Sequence, residues 1–365
     1  MKSGTYVTII IAALLICKLF LYWLNKFGKN EQNDFFVSTQ VQNNERLNKL
    51  GIRNASEDAS YILDSSLLSF PKPVHDASDS KDEYKPDPSQ DWVIPVNVKD
   101  NAVSKKQLSA LFDLEWRKNF RSTIYGYSIQ EEHWTFADAG DSPEAYTQLQ
   151  VAVDLIETFT DSAKGYDPLL LERYLNELNR KIKKSSFALA IGKGEPIEKA
   201  IERAKELVKL NHEFSFDAVI QLKSENPFPG MAAWDAMECL GLEWGDGDIF
   251  HWQNPEDYGD QAFFSVYTTT KPGYFLPEAI GSGEMNPGDL VFAFSVPRSA
   301  DPEHIFDAMI NAVKYCQKRL GGQLFDKYGK PFNEVKERED MKLLVGKMKQ
   351  NSLMPGSEKC LRMFD

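Results

Sequence analysis

The chain has 365 residues with 42 basic and 54 acidic side chains, a formal net charge of −12. That balance argues against nucleic acid as a partner, because phosphates demand a basic footprint. Cys17, Cys239, Cys316 and Cys360 are sparse and lack CxxC spacing, which excludes a disulfide framework and a zinc knuckle and fits reduced cytoplasmic thiols.

Tyr6 to Leu24 is an apolar run, interrupted by Lys18, long enough to span a bilayer at a rise of about 1.5 Å per residue. Lys18 sits near its downstream end, where it can snorkel beside Tyr22 and Trp23. Lys18, Lys26 and Lys29 outnumber Lys2 and the amino terminus, so the positive-inside rule leaves the large C-terminal part in the cytoplasm. A cleaved signal peptide would need a small-x-small pattern that is missing, and Ile16 is too large to precede Cys17 in a lipoprotein signal. Residues 1–29 are therefore expected to form a single-pass transmembrane anchor with its flanks.

Residues 30–90 are polar, rich in Asn, Ser and Asp, and end in KDEYKPDPSQD, where prolines and charges oppose a packed core. They are expected to form a disordered linker, with a root-mean-square reach on the order of 40 Å for a flexible coil of about sixty residues. Tyr61 to Phe70 is apolar enough for either a short docking element or a transient local turn.

Residues 91–213 show a weak internal echo of residues 214–350. DWVIPVNVKDN resembles DAVIQLKSEN, with Asp91, Val93 and Ile94 matching Asp217, Val219 and Ile220. Leu149, Val151, Val153 and Leu155 alternate with Gln150, Ala152 and Asp154, as in a strand. SFALAIGKGEPIEKAIERAKELVKLN then repeats the strand-then-helix order of LVFAFSVPRSADPEHIFDAMINAVKYCQ. The expectation is two domains of one fold, the first with an inserted helix near Pro168 to Lys184 and no closing hairpin. Pro95 counts against it, since an inner strand tolerates proline poorly.

Residues 214–350 carry the clearest pattern, and 351–365 are set apart as a tail. Ala218, Ile220 and Leu222 alternate with Val219, Gln221 and Lys223, and Leu290, Phe292, Phe294 and Val296 alternate with Val291, Ala293 and Ser295. Phe264 and Val266 likewise oppose Phe263, Ser265 and Tyr267. Helical spacing gathers Ala232, Ala233, Ala236, Met237, Cys239 and Leu240 on one face, and Ile305, Met309, Ala312, Val313 and Cys316 on another helix that Gly321 and Gly322 stop. The order strand, helix, strands, helix, strand predicts an α+β fold: a split βαβ antiparallel sheet with helices on one face, in tandem with residues 91–213. Its other face is left for solvent or a partner.

Catalytic constellations are thin. His75, His133, His212, His251 and His304 are scattered, with no HExxH. Asp246, Gly247 and Asp248 lack the further ligands of a calcium loop and fit a strand turn. GKGEP at Gly192 to Pro196 lacks the third glycine of a dinucleotide loop and the GK[ST] ending of a phosphate loop. No GxSxG occurs. Neither an enzyme, a cofactor, a metal nor a small-molecule substrate is expected.

Four stretches carry a resemblance: GLEWGDGDIFH (Gly241 to His251), FFSVYTTTKPGYF (Phe263 to Phe275), LVFAFSVP (Leu290 to Pro297) and LGGQLFD (Leu320 to Asp326). In letters, order and spacing they resemble the C-terminal domain of the ZipA family of bacterial cell-division proteins, over roughly residues 214–350. The resemblance implies the same fold, an inner-membrane location, and the C-terminal peptide of FtsZ as partner, lying across the open sheet face. Carried across, the binding positions are Val219, Gln221, Gly247, Thr269, Lys271 and Ala293. Only Val219 and Lys271 keep the family's character; Gln221, Gly247, Thr269 and Ala293 replace larger apolar groups, and loss of one anchor costs roughly 2 to 4 kcal/mol. Tyr267 offers aromatic area on the same face, and Ile249 and Phe263 are expected beside it. Two alternatives stand beside this: a scaffold of this type with a different division or envelope partner, or a face covered by the first domain.

Overall fold

The computed structural model describes residues 43, 45–52, 63–70, 84–137, 142–160 and 169–365. They fall into two units, one from the residues up to 73 together with Phe214–Asp365, the other from Val74–Glu213. The expected membrane anchor, Tyr6–Leu24, lies outside the described residues; among those described, no helix is long and apolar enough to cross a membrane.

The first unit in chain order is built on a five-stranded antiparallel sheet. Its elements are β1 (Asp91–Val98), β2 (Val103–Ser104), α1 (Lys105–Leu111), α2 (Leu114–Asn119), β3 (Thr123–Ser128), β4 (His133–Phe136), β5 (Ala145–Tyr146), β6 (Gln148–Asp154), α3 (Leu155–Thr160), α4 (Leu170–Lys184), β7 (Leu189–Ile191) and α5 (Ile197–Phe214). The spatial order is β4-β3-β6-β1-β7, with β2 and β5 paired separately. Ser104 caps α1 through a reciprocal bond with Gln107, and Asp113 caps α2. Trp92, Ile94 and Val96 of β1 and Val151 and Val153 of β6 are buried, as are Leu171, Tyr174, Leu178 and Ile182 at helical spacing on α4.

The second unit comprises β8 (Asp217–Lys223), α6 (Gly230–Cys239), β9 (Glu243–Trp244), β10 (Phe250–Gln253), β11 (Ala262–Tyr267), α7 (Pro277–Gly281), β12 (Asp289–Ser295), α8 (Pro302–Leu320), β13 (Gln323–Asp326), α9 (Glu334–Gln350) and α10 (Glu358–Met363). Six strands run antiparallel in the order β13-β8-β12-β11-β10-β9. Ala218, Ile220, Leu222, Phe264, Val266, Leu290 and Phe292 are all 3% exposed or less. Helix α8, with Ile305, Met309, Ala312, Val313 and Cys316 buried, packs against β8 and β11. Helix α6, with Ala233, Trp234, Ala236 and Met237 buried, packs against α8, and the Trp234 ring meets that of Phe250 of β10 at 4.7 Å. Gly321, at φ +82°, ends α8 in a conformation that side chains disfavour.

The two sheets share a plan and differ from the expected alignment. In each, the first strand lies between two later ones: β1 between β6 and β7, β8 between β12 and β13. Asp91 opposes Asp154 where Asp217 opposes Ser295, so β6, not the strand in SFALAIG, holds the position of β12, and β7 that of β13. The helix Leu170–Lys184 is thereby the counterpart of α8 rather than an insertion. The second and third strands exchange places, since β3 neighbours β6 whereas β11 neighbours β12. Pro95 does sit in an inner strand, tolerated because β7 pairs only with Val96–Val98 and ends one residue short of it.

Two stretches assigned by composition to the linker lie against the second unit. Residues 45–50 are helical; Leu47 and Ile52 are buried, and Arg46 holds Glu278 through Nε and Nη2 at 2.7 Å each. The Leu63 amide donates to Leu240 O at 3.4 Å and the Ser69 amide to Asp301 Oδ2 at 2.9 Å. Nor is 351–365 a loose tail. Leu353, Cys360, Met363 and Phe364 are buried, and Arg298 joins Asp260, Leu361 O and Asp365 across the end of the chain.

Candidate functional site

The outer face of the second sheet, opposite α6 and α8, is set out by its register. Val219 opposes Ala293, which opposes Ser265, which opposes His251. One row along, Phe325 opposes Gln221, Gln221 opposes Val291, and Val291 opposes Tyr267. A third row sets Lys223 opposite Asp289.

Val219, Gln221, Tyr267 and Ala293 are half-buried and share this face. Ile249 is half-buried just ahead of β10, Gly247 is exposed in the turn Asp246–Asp248, and Thr269 and Lys271 are exposed beyond β11. The strands thus bring Val219, Ala293, Gln221 and Tyr267 together, while Gly247, Ile249 and Lys271 stand at the rim. Phe263 does not join them. A register shift between Trp252 and Gln253 takes it out of strict alternation, and its ring meets Trp252 at 4.7 Å, whose other neighbour is the inward Phe264 at 5.5 Å.

Val291 and Asp289 are the residues that the resemblance does not single out. Val291 is 3% exposed and floors the row between Gln221 and Tyr267. Asp289, 2% exposed, accepts from Thr268 Oγ1 at 2.8 Å, Thr269 N at 2.7 Å, Thr269 Oγ1 at 2.5 Å and Gln221 Nε2 at 2.5 Å. A buried carboxylate persists only when so satisfied. Its cluster is hard to foresee, because Asp289 directly precedes the apolar alternation and reads as a strand-end charge. Burial, then the nearby Asp217 and Asp289, push the Tyr267 phenol up to about 12, so it is neutral and keeps its proton.

His251 braces the Gly247 turn against the sheet. Its Nε2–H donates to Asp246 O at 2.8 Å, which leaves Nδ1 to accept the Ser265 hydroxyl at 2.8 Å. Burial pushes its pKa below the ordinary histidine value, so the ring is neutral. Gly247, at φ +67°, supplies the left-handed residue the turn needs. Among the described residues no three His, Cys, Asp or Glu side chains are grouped to hold a metal ion. The face offers an apolar floor, hydrogen-bonding groups and strand geometry.

Comparison with known proteins bears on this unit. Residues 217–342 match the family described as ZipA, C-terminal FtsZ-binding domain. The cell division protein ZipA of Marinobacter nauticus is 33% identical over 104 residues, 28% of this chain and 30% of that protein. ZipA of Vibrio vulnificus is 25% identical over 132 residues, 36% of this chain and 39% of the relative. ZipA of Pseudomonas aeruginosa is 29% identical over 104 residues, 28% and 35% of the two chains. The match thus spans well under half the length of these relatives. By this match and their likeness to these relatives, residues 217–342 are assigned to the ZipA C-terminal domain family as a divergent, low-identity homologue.

Proposed function

We propose that this protein is a membrane-anchored cell-division adaptor, whose C-terminal sheet takes the C-terminal tail of FtsZ across its outer face and tethers the division ring to the inner membrane. The match of residues 217–342 to the ZipA C-terminal domain carries this reading. The half-buried row of Val219 and Ala293, with Tyr267 beside it, supports it as a surface on which an extended peptide can lie. Tyr6–Leu24 serves as the anchor, with the folded units in the cytoplasm.

The test is titration of the full chain, in detergent micelles, with a labelled FtsZ tail peptide. Saturable binding at tens of micromolar or tighter supports the proposal. Absence of saturation at higher concentrations counts against it.

A second reading keeps the fold and the membrane and assigns another division or envelope protein. It is favoured by Gln221 and Thr269, two groove positions whose donors are engaged by Asp289 instead of offering apolar area. A fluorescent fusion of the full chain distinguishes the readings. Enrichment at midcell that depends on FtsZ supports the first; midcell or envelope patterning that persists when FtsZ is depleted supports the second.

A further inference from the structure

The amide of Gln221 is not free to rotate. Its Nε2 donates to Asp289 Oδ2 at 2.5 Å, and an acceptor-only carboxylate fixes which end of the amide faces it. The Gln221 carbonyl oxygen is thereby turned away from Asp289. It belongs to a half-buried side chain in the central row of the outer face, between Phe325 and the apolar floor of Val291. Tyr267, beyond Val291, keeps its phenolic proton. The row therefore presents an oriented acceptor, a methyl-covered floor and a hydroxyl, backed by a buried negative charge. Lys223 opposes Asp289 in register but is exposed.

We infer that Gln221, oriented by Asp289, is a specificity-determining residue: the extended peptide that docks here places a hydrogen-bond donor side chain, amide or ammonium, over Gln221 rather than an aliphatic one. The complementarity is of charge as well as of hydrogen bonding, since donors carry positive hydrogens and the acceptor is polarised by the Asp289 carboxylate behind it. An aliphatic side chain laid there covers the amide oxygen without pairing it, a loss of about tenfold in affinity. Asp289 is then a positioning residue, acting through Gln221. This inference rests on peptide docking at the outer face, but not on FtsZ being the source of the peptide.

The experiment is parallel selection of a displayed random-peptide library on the full chain and on Gln221→Met, in detergent, with the FtsZ tail titrated beside it. The wild type is expected to enrich Lys, Arg, Gln or Asn at one position, and Gln221→Met to replace that preference with Leu, Met or Phe. A synthetic peptide carrying lysine there should bind the wild type about tenfold tighter than its norleucine twin, with the order reversed on Gln221→Met. Asp289→Asn should weaken the preference, while Gln221→Met, which takes away one of the four donors to the buried Asp289, should melt somewhat lower than the wild type yet still unfold in one cooperative transition. The same consensus from both proteins, or no consensus from either, overturns the inference. FtsZ-tail binding that Gln221→Met leaves without a changed preference overturns it while sparing the FtsZ reading. A donor consensus with no FtsZ-tail binding does the reverse.

Discussion

The ring of Phe70 stacks on that of Phe263, with centroids 5.9 Å apart and planes 20° from parallel. Phe70 belongs by composition to a coil, and Phe263 by alternation to the outer face; the contact shows that each is placed differently. The bulge beside Trp252 draws Phe263 into the ring cluster on the helix side, and Phe70 covers it there. Ser69 reaches the head of α8 and Leu63 the end of α6, while Arg46 lies 5.4 Å over the Trp244 ring. A reach on the order of 40 Å suits a free coil of about sixty residues, and chain fixed at Arg46–Ile52 and Leu63–Phe70 is no longer that coil.

Phe70→Ala should therefore loosen the whole segment. The stack is worth about 1 kcal/mol, so amide exchange at Leu63 and Ser69 is expected to quicken about fivefold, with little change in the strands. Hydrogen exchange read by mass spectrometry on the full chain checks this. Unchanged protection would mean that the backbone bonds to Leu240 and Asp301 hold the segment without the ring.

Two glycines with φ +75° separate backbone strain from crowding. An added Cβ at Gly329 meets nothing within 4 Å, whereas at Gly356 it would lie 2.7 Å from Tyr258 Cε1 and 2.9 Å from both Ala300 Cα and Ser299 O. Gly329→Ala should cost about 1 kcal/mol, for the left-handed conformation alone. Gly356→Ala should cost at least about 2 kcal/mol more, because backbone atoms cannot step aside. Denaturant melts of the two variants decide it, and equal losses would show that the end of the chain is not packed as described.

His251 gives the fold a pH dependence of known sign. The folded protein keeps the ring neutral with a depressed pKa, while the unfolded chain titrates near the ordinary value of 6.5. As pH falls below about 7 the unfolded state binds more protons, so stability is full above that pH and declines toward the folded pKa. The melting temperature of His251→Gln should fall less than that of the wild type between about pH 7.5 and 5.5. Parallel curves would show that the ring titrates alike in both states.

Much of the sheet is legible from the chain itself. Asp217–Lys223 buries one face and exposes or half-exposes the other, so its period of two is clean. In Asp289–Ser295 the larger apolar side chains Leu290, Phe292 and Phe294 keep that period although Asp289 and Val291 are buried as well, and the stripe Ile305, Met309, Ala312, Val313 and Cys316 marks α8 as plainly. What is lost depends on contacts between distant residues. A bulge adds one residue without changing composition, so Phe263 reads as outward. The pairing of Asp91 with Asp154 cannot be seen until both strands are placed, which is why the helix Leu170–Lys184 looks like an insertion. Asp289 looks solvated until Gln221 and Thr269 close over it. Leu47, Ile52 and Leu353 are lone apolar residues among polar neighbours, and only the surfaces they meet show them to be core.

The outer face as a peptide-binding surface is tested most directly by placing a charge at its centre. Val219 is half-buried opposite Ala293, so Val219→Glu leaves the inner core untouched, while Leu343→Glu alters a residue on α9 that is 63% exposed. With the full chain in detergent and a labelled FtsZ tail peptide, Val219→Glu should weaken binding at least about tenfold with little change in melting temperature, and Leu343→Glu should leave it unaltered. Binding of equal strength to the wild type and to Val219→Glu would contradict a peptide-binding role for this face.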